Sequence, residues 1–411
     1  MRKVVITGLG TINPAGLNIE QFNENLKKGK TFISSADNTE APDFPIKVWG
    51  KVNSYVPEEY FKKTELNRMD KFIQFAVISA QEAMKDCGTD FSDLNPYKCG
   101  VITGVGFGGL LHTEREHEKF LTKGKKGVSA TYIPSMISNM ASGYISIKTG
   151  LKGSDFTVCS ACASSTHAIG EAFRKVKDGY LDMCLCGGSE SCLTKFSMSG
   201  FGNMKALTEC SDPERASIPF DKERSGFVLG EGAAMLVLET EEHAKARGAK
   251  IYAEICGYGS TGDAFHVTRP EPEAEAVCAA IEMAIEESGM SADDIDYINA
   301  HGTSTHFNDA TESTAINKVF GSRAKNIYVN STKSIIGHLL GGAGAAEACA
   351  SVLEISGGYV HPVAGYTTPD PECDLNIVHG KTVETEIKGA LSMSLGFGGH
   401  NGVLCFRKYS E

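Results

Sequence analysis

The 411-residue chain opens without the apolar run that a signal peptide or membrane anchor needs. Its first stretch, "MRKVVITGLGTINPAG", carries two charges and is broken at Gly8, Gly10, Asn13 and Pro14, so it reads as a first β-strand running into a loop. The same stretch lacks the last glycine of a dinucleotide fingerprint, which sets nicotinamide chemistry aside. Basic residues are in deficit: 40 Lys and Arg against 51 Asp and Glu leave a formal net charge of −11, and such a surface repels nucleic acid and anionic membranes. A disulfide framework is missing as well. Most of the 13 cysteines stand singly and their number is odd, the pattern of reduced thiols in a cytoplasmic protein. Neither a low-complexity tract nor a linker interrupts the chain.

What is present is alternation. "KVVITGLG", "KCGVITGVG", "DFTVCSA", "MCLCGGSES", "AAMLVLE", "IYAEICGYG", "DIDYINAHG", "NIYVNSTKS", "GALSMSLGFGG" and "GVLCFRK" read as strands. Helical patterns lie between them, among them 70–86, 167–178 and 272–288, the last with proline in its first turn. This is an α/β protein whose strands are largely buried. Length alone allows two or three domains. An internal echo narrows that: "DFTVCSACASSTHAIGEAFRKVKDG" and "NIYVNSTKSIIGHLLGGAGAAEACASVLEISGG" each run from strand through a Ser/Thr turn into a helix dense in small residues. A duplicated βα fold, split near residue 250 with two small-residue helices meeting at its centre, is the expectation.

Four motifs carry chemistry. In the first, Cys159 and Cys162 have the spacing of a redox couple, half a zinc site, or a nucleophile beside an unrelated cysteine. Cys162 falls at a strand-to-helix turn, where the helix dipole favours thiolate, whereas Cys159 belongs to the strand. The candidate zinc partners Cys184 and Cys186 share one face of an apolar strand and read as buried structural thiols. The second motif, "NAHGTSTHFNDATE", delivers His301 into a loop whose hydroxyls, Thr303 and Thr305, give it something to be held by. The third, "NSTKSIIGHLLGGAGAAE", places Lys333 and His338 across a turn containing Gly337. The fourth, "SLGFGGHNGVL", leaves backbone N–H groups free around Phe397. Each has a bland reading as packed or solvent-facing side chains, but a nucleophile, two imidazoles, a lysine and glycine-loop amides together fit acyl transfer from a thioester. Two basic clusters, Lys62, Lys63, Arg68 and Lys71 in one segment and Lys123, Lys125 and Lys126 in another, are either solvated faces or a docking patch for an acidic partner.

Across essentially its whole length the sequence resembles the elongating β-ketoacyl-acyl-carrier-protein synthases of the thiolase-fold condensing enzymes. The resemblance rests on "ACASSTHAIGEA", "PFDKERSGFVLGEGAAMLVLE", "NAHGTSTHFNDATE", "STKSIIGHLLGGAGAAE" and "SLGFGGHNG". It implies a thiolase-like duplicated α/β fold of five layers (αβαβα), each half a mixed β-sheet, with Cys162 in an N-terminal half, 1–250, and the histidines and lysine in a C-terminal half, 251–411. It implies that Cys162 accepts the acyl chain and that His301 and His338 stabilise the enolate left by decarboxylation of a malonyl group. It gives the N–H groups of Cys162 and Phe397 the part of oxyanion hole, Phe397 that of a gate, and Lys333, with Glu312 as neighbour, the part of positioning the histidines. The implied partners are an acidic acyl carrier protein, docking on Lys62, Lys63, Arg68, Lys71 and Lys205 with Lys123, Lys125 and Lys126 supplied by a second subunit, and either an identical subunit or a chain-length factor. No redox cofactor and no catalytic metal are implied, although some relatives hold a monovalent cation near the positions of Asn299 and Glu347.

Three positions depart from the common pattern: Phe107, where a smaller aliphatic residue usually floors the acyl pocket, His306 in place of proline, and Leu395 in place of Phe. Phe107 predicts a shallow pocket and short acyl chains, while His306 and Leu395 are expected to lie away from the chemistry. Fatty-acid elongation is the first expectation, the catalytic subunit of a type II polyketide synthase the second. A metal-binding or redox protein built on Cys159, Cys162, Cys184 and Cys186 is the alternative from another class, and it leaves His301, His338 and Lys333 without a purpose.

Overall fold

In the computed structural model, residues 2–36 and 45–410 are described. Ten strands form one sheet: β1 (Val4–Ile12), β2 (Cys99–Gly104), β3 (Asp155–Val158), β4 (Met183–Glu190), β5 (Gly232–Thr240), β6 (Ala253–Gly262), β7 (Tyr297–Asn299), β8 (Tyr328–Asn330), β9 (Gly389–Gly396) and β10 (His400–Arg407). They lie in the order β8-β7-β9-β10-β6-β1-β5-β4-β2-β3. Each lies within, or overlaps, a stretch read as a strand from the sequence, because continuous runs of Val, Ile, Leu, Ala and Cys suit a sheet covered on both faces.

The order repeats. Reading inward from either edge, β3-β2-β4-β5-β1 matches β8-β7-β9-β10-β6, with the same parallel and antiparallel pairings in each set. The two mixed five-stranded sets are joined edge to edge, since β1 pairs with β6 through Val4–Ile255, Val5–Glu254 and Ile6–Ala253.

Helices complete the layers. α1 (Lys71–Asp86) covers β1, β4 and β5; α2 (Ser164–Lys177) and α5 (Ala343–Gly357) lie together between the two strand sets; α3 (Glu275–Ser288) covers β6 and β10, with α4 (His306–Phe320) beside it. The layering is αβαβα. The central pair is possible because its residues are small: a Cβ on Gly344 of α5 would stand 2.0 Å from Thr166 Oγ1 of α2. The glycines of "GLG" serve packing as well, for a Cβ on Gly8 or Gly10 would lie 2.3 or 2.1 Å from carbonyl oxygens of α1.

Two local expectations are corrected. α3 begins at Glu275, so Pro272 lies before the helix rather than in its first turn. β3 ends at Val158, which leaves Cys159 exposed just beyond the strand, its sulfur 3.4 Å from the Gly106 carbonyl oxygen. Among the described residues, no helix is long and apolar enough to cross a membrane.

Candidate active site

Three strand ends and a hairpin converge on one cavity of about 460 Å³. β3 leads into the turn 159–163, where Ala161 takes φ 50°, a conformation costly for a residue with a Cβ. That strained turn presents Cys162 at the head of α2, buried at 8% exposure. β7 ends at Asn299 and delivers His301; β8 ends at Asn330, and the turn 331–342 that follows carries Lys333 and His338. The β9–β10 hairpin brings Phe397 over the sulfur. Cys162, His301 and His338 are brought together, each offering an atom within 4.8 Å of the others'.

Hydrogen bonds fix the tautomers. His338 Nδ1 accepts from the Leu340 N–H at 3.2 Å, and His301 Nδ1 lies 3.2 Å from Lys333 Nζ, an ammonium that can only donate. The proton of each neutral ring is therefore on Nε2, and that of His338, although buried, has no partner among the described residues. Burial, then the Lys333 charge, holds both imidazoles well below the usual histidine range, so they are neutral donors. A Cys-His-His set has the composition of a zinc site, but metal ligation needs a lone pair where these rings carry N–H.

Burial pushes the Cys162 thiol up to about 11, with the Lys333 charge and the Phe397 N–H pulling the other way. The helix N-terminus that favours thiolate is thus outweighed by enclosure among Leu340, Phe201 and Phe227. Lys333 is 1% exposed and its ion-pair partner is Glu347, while Glu312, the expected neighbour, lies near enough to feel the lysine's charge. Glu312 instead accepts from the His301 and Gly302 N–H groups, both at 2.6 Å, holding the histidine's backbone while burial pushes its carboxyl up to about 8. Nor do the threonines hold His301. Thr303 and Thr305 both line the cavity, their hydroxyls 2.9 Å apart.

Phe107 does not line this cavity. It is half-exposed and packs edge-on against Phe201, which does line it, at 6.0 Å between ring centroids. Leu395 is part of the cavity wall, contrary to expectation, whereas His306 is exposed at the start of α4. Lys62, Lys63, Arg68, Lys123, Lys125 and Lys126 are exposed, and Lys205 stands exposed on the cavity rim. Lys71 is corrected: its ammonium turns inward to the buried Glu231 at 2.5 Å. The four cysteines of the metal-binding alternative do not converge. Cys184 and Cys186 are fully buried in β4, where burial raises both thiols, and among the described residues the one group of three possible ligands is Cys162 with the two histidines.

Sequence reading missed Phe201, Phe227 and Leu340, which wall the cavity, and Arg269 and His266 on its rim. It also missed the pairing of Glu347, although a carboxylate inside "GGAGAAEACAS" cannot be buried without a partner.

Comparison with known proteins decides the family. The description "Beta-ketoacyl synthase, N-terminal domain" matches residues 1–244, and "Beta-ketoacyl synthase, C-terminal domain" matches residues 252–367. The chain belongs to the β-ketoacyl synthase family. It is 43% identical over 408 residues to the 3-oxoacyl-[acyl-carrier-protein] synthase 2 of Staphylococcus aureus strain N315, covering 99% of both chains. It is 44% identical over 409 residues to the Synechocystis enzyme of the same name, covering 99% of this chain and 98% of that one. Among solved structures, a type II polyketide ketosynthase in complex with its acyl-carrier protein superposes over 100% of both chains with a TM-score of 0.90 and 34% identity. A β-ketoacyl synthase from Burkholderia phymatum does so with 0.91 and 31%.

Proposed function

We propose that the protein is a β-ketoacyl-[acyl-carrier-protein] synthase that lengthens fatty acyl chains by decarboxylative Claisen condensation, an acyltransferase reaction. The observation that carries it is the pair of neutral Nε2–H donors beside Cys162, that of His338 buried and unpartnered. The Cys162 sulfur attacks the acyl thioester; the acyl group moves to sulfur, and the thiol proton leaves with the departing carrier thiol, since both imidazoles already carry theirs. A malonyl thioester then enters, its carbonyl oxygen accepting from His301 and His338. Loss of CO₂ leaves the electron pair of the broken C–C bond as an enolate, whose oxyanion those donors stabilise. The enolate carbon attacks the acyl-Cys162 carbonyl, held by the N–H groups of Cys162 and Phe397, and the sulfur is released as thiolate beside the Lys333 charge.

The acyl chain lies along the apolar wall of Phe201, Phe227 and Leu340, with Phe107 behind Phe201 limiting its length. Phe107→Ile is expected to extend the accepted chain by several methylenes, each worth about 0.8 kcal/mol of burial; an unchanged chain-length profile removes Phe107 from that role. Lys205 at the rim and Lys62, Lys63 and Arg68 farther out receive an acidic carrier protein, with Lys123, Lys125 and Lys126 of a second, identical subunit nearby. Residues 1–250 and 251–411 are the two copies of the duplicated unit, and the protein works in the cytoplasm.

A monovalent cation fits near Asn299. Asn299 Oδ1, Glu347 Oε2 and Ser392 Oγ are buried oxygens without hydrogen-bond partners among the described residues, and Asn299 and Ser392 face each other across β7 and β9. Such a cation would offset charge at Glu347.

The test is condensation of malonyl-carrier protein with acyl-carrier proteins of increasing length, read by intact-protein mass spectrometry. Extension by the protein alone, absent in Cys162→Ala, is the expected result. Acylation of Cys162 without extension would favour the second reading, a polyketide ketosynthase that needs a chain-length-factor partner. That reading draws on the similarity to the polyketide ketosynthase and to the ishigamide ketosynthase/chain length factor, at 31% identity and a TM-score of 0.92.

A further inference from the structure

Glu190 ends β4 with 0% exposure and, among the described residues, no cationic partner. Its carboxylate sits in a nest of peptide N–H groups drawn from two separate segments. Oε2 accepts from Gly106 at 2.8 Å and from Gly341 at 3.3 Å; Oε1 accepts from Gly108 at 3.2 Å; and the Phe107 N–H lies 3.2 Å from Oε1 and 3.1 Å from Oε2. Burial pushes the carboxyl up to about 7 against these four amides. Isolating a carboxylate from water is costly, so holding loops together is the compensation to look for.

The two segments could not meet so closely otherwise. A Cβ on Gly106 would stand 2.7 Å from Glu190 Oε2, and one on Gly341 would stand 2.9 Å from the same oxygen and 2.2 Å from the Gly106 nitrogen. One segment carries Phe107, whose ring packs on the cavity residue Phe201. The other follows His338 directly and carries Leu340, a cavity residue held at φ 48°. The wall that limits the acyl chain and the turn that carries a reacting histidine are thus pinned to one carboxylate.

We infer that Glu190 is a positioning residue that sets acyl-chain-length specificity by holding the Gly106–Gly108 segment against the His338–Gly341 turn. The inference rests on the condensing-enzyme reading above. Replacing the carboxylate by an amide leaves one acceptor oxygen where two are needed and turns an NH₂ donor toward either the Gly108 N–H or the Gly106 and Gly341 N–H groups, so the hold between the segments loosens without a change in side-chain length.

The test compares Glu190→Gln with the unaltered enzyme on acyl-carrier proteins from short to long. The ratio of kcat/KM for long over short primers is expected to change about tenfold, while alkylation of Cys162 by iodoacetamide does not fall, because the Glu190 charge is among the causes that hold that thiol up. In a Phe107→Leu background the same substitution is expected to add less than about twofold, because both act on one wall. A uniform loss across all primers, or full additivity with Phe107→Leu, overturns the inference. Should Glu190→Gln not fold, Glu190→Asp, which keeps the charge and shortens the reach, takes its place with the same two outcomes. An unaltered protein that condenses nothing overturns the enzyme reading and this inference together; an active one with an unchanged profile in the variant overturns this inference alone.

Discussion

The turn after β3 and the turn after β8 occupy equivalent places in the repeated strand order, and both lead into a buried helix of small residues. They differ in length and in content. The first, 159–163, is tight, carries one strained residue at Ala161 and presents a single sulfur. The second, 331–342, is long enough to include a helical turn and brings an ammonium and an imidazole to the same cavity. One framework used twice thus supplies a nucleophile from one side and hydrogen-bond donors from the other. The two sides are also tuned in opposite directions: burial raises the thiol and lowers the imidazoles, so all three are neutral at pH 7.

The sharpest way to break this division of labour is to disable one side and assay the other. Cys162→Ala is expected to lower condensation on the order of 10⁴-fold or more while malonyl decarboxylation persists. His338→Ala is expected to do the converse, losing about 10²–10³-fold in decarboxylation with the alkylation rate of Cys162 nearly unchanged. Loss of both activities in both variants would mean that the sides are not separable.

A smaller effect is expected from the ion pair that only the longer turn possesses. Glu347→Gln leaves the Lys333 charge buried without its counter-charge, and urea unfolding should show a loss of about 3–5 kcal/mol. A loss below about 1 kcal/mol would show that Lys333 finds another partner. Gly344→Ala tests the packing the two helices share: overpacking against Thr166 should cost about 1–3 kcal/mol, and a neutral result would mean the helices can part freely.

The smallest perturbation is pH. Because the Cys162 thiol is raised to about 11, its thiolate fraction, and with it the alkylation rate, should climb about tenfold per unit from pH 7 to pH 10. A plateau near pH 8 would show that Lys333 and the Phe397 N–H outweigh burial. The imidazoles, shifted the other way, contribute no acid limb near pH 6.

Much of this was legible in the sequence because it is local. The ten strands announce themselves as apolar runs, the Ala/Gly/Ser helices as stretches that only a protein interior accommodates, and Cys162 as a residue between a strand and a helix. Three of the misreadings concern which partner a side chain or backbone group takes, a choice made by packing at any separation along the chain. Lys333 was expected beside Glu312, yet Glu347, 14 residues along in its own motif, takes the ammonium; Thr303 and Thr305 closely follow His301, yet Glu312 holds its backbone. Lys71 sits among exposed basic residues, yet its side chain reaches Glu231 on the far side of the chain.

By itself, then, the amino-acid order determined the α/β architecture, the duplication echoed in its two small-residue helices, and the identity of the sulfur, imidazoles and lysine that meet. Periodicity and turn chemistry act over a few residues and are written in them. Tertiary structure alone decided the ionisation of those groups, the partner of each buried charge, and the standing of Phe107 behind Phe201 rather than in the cavity. Those depend on desolvation and on contacts that chain order does not display, as when Glu190 meets Phe107, 83 residues away, and Gly341, 151 residues away, only across folded space.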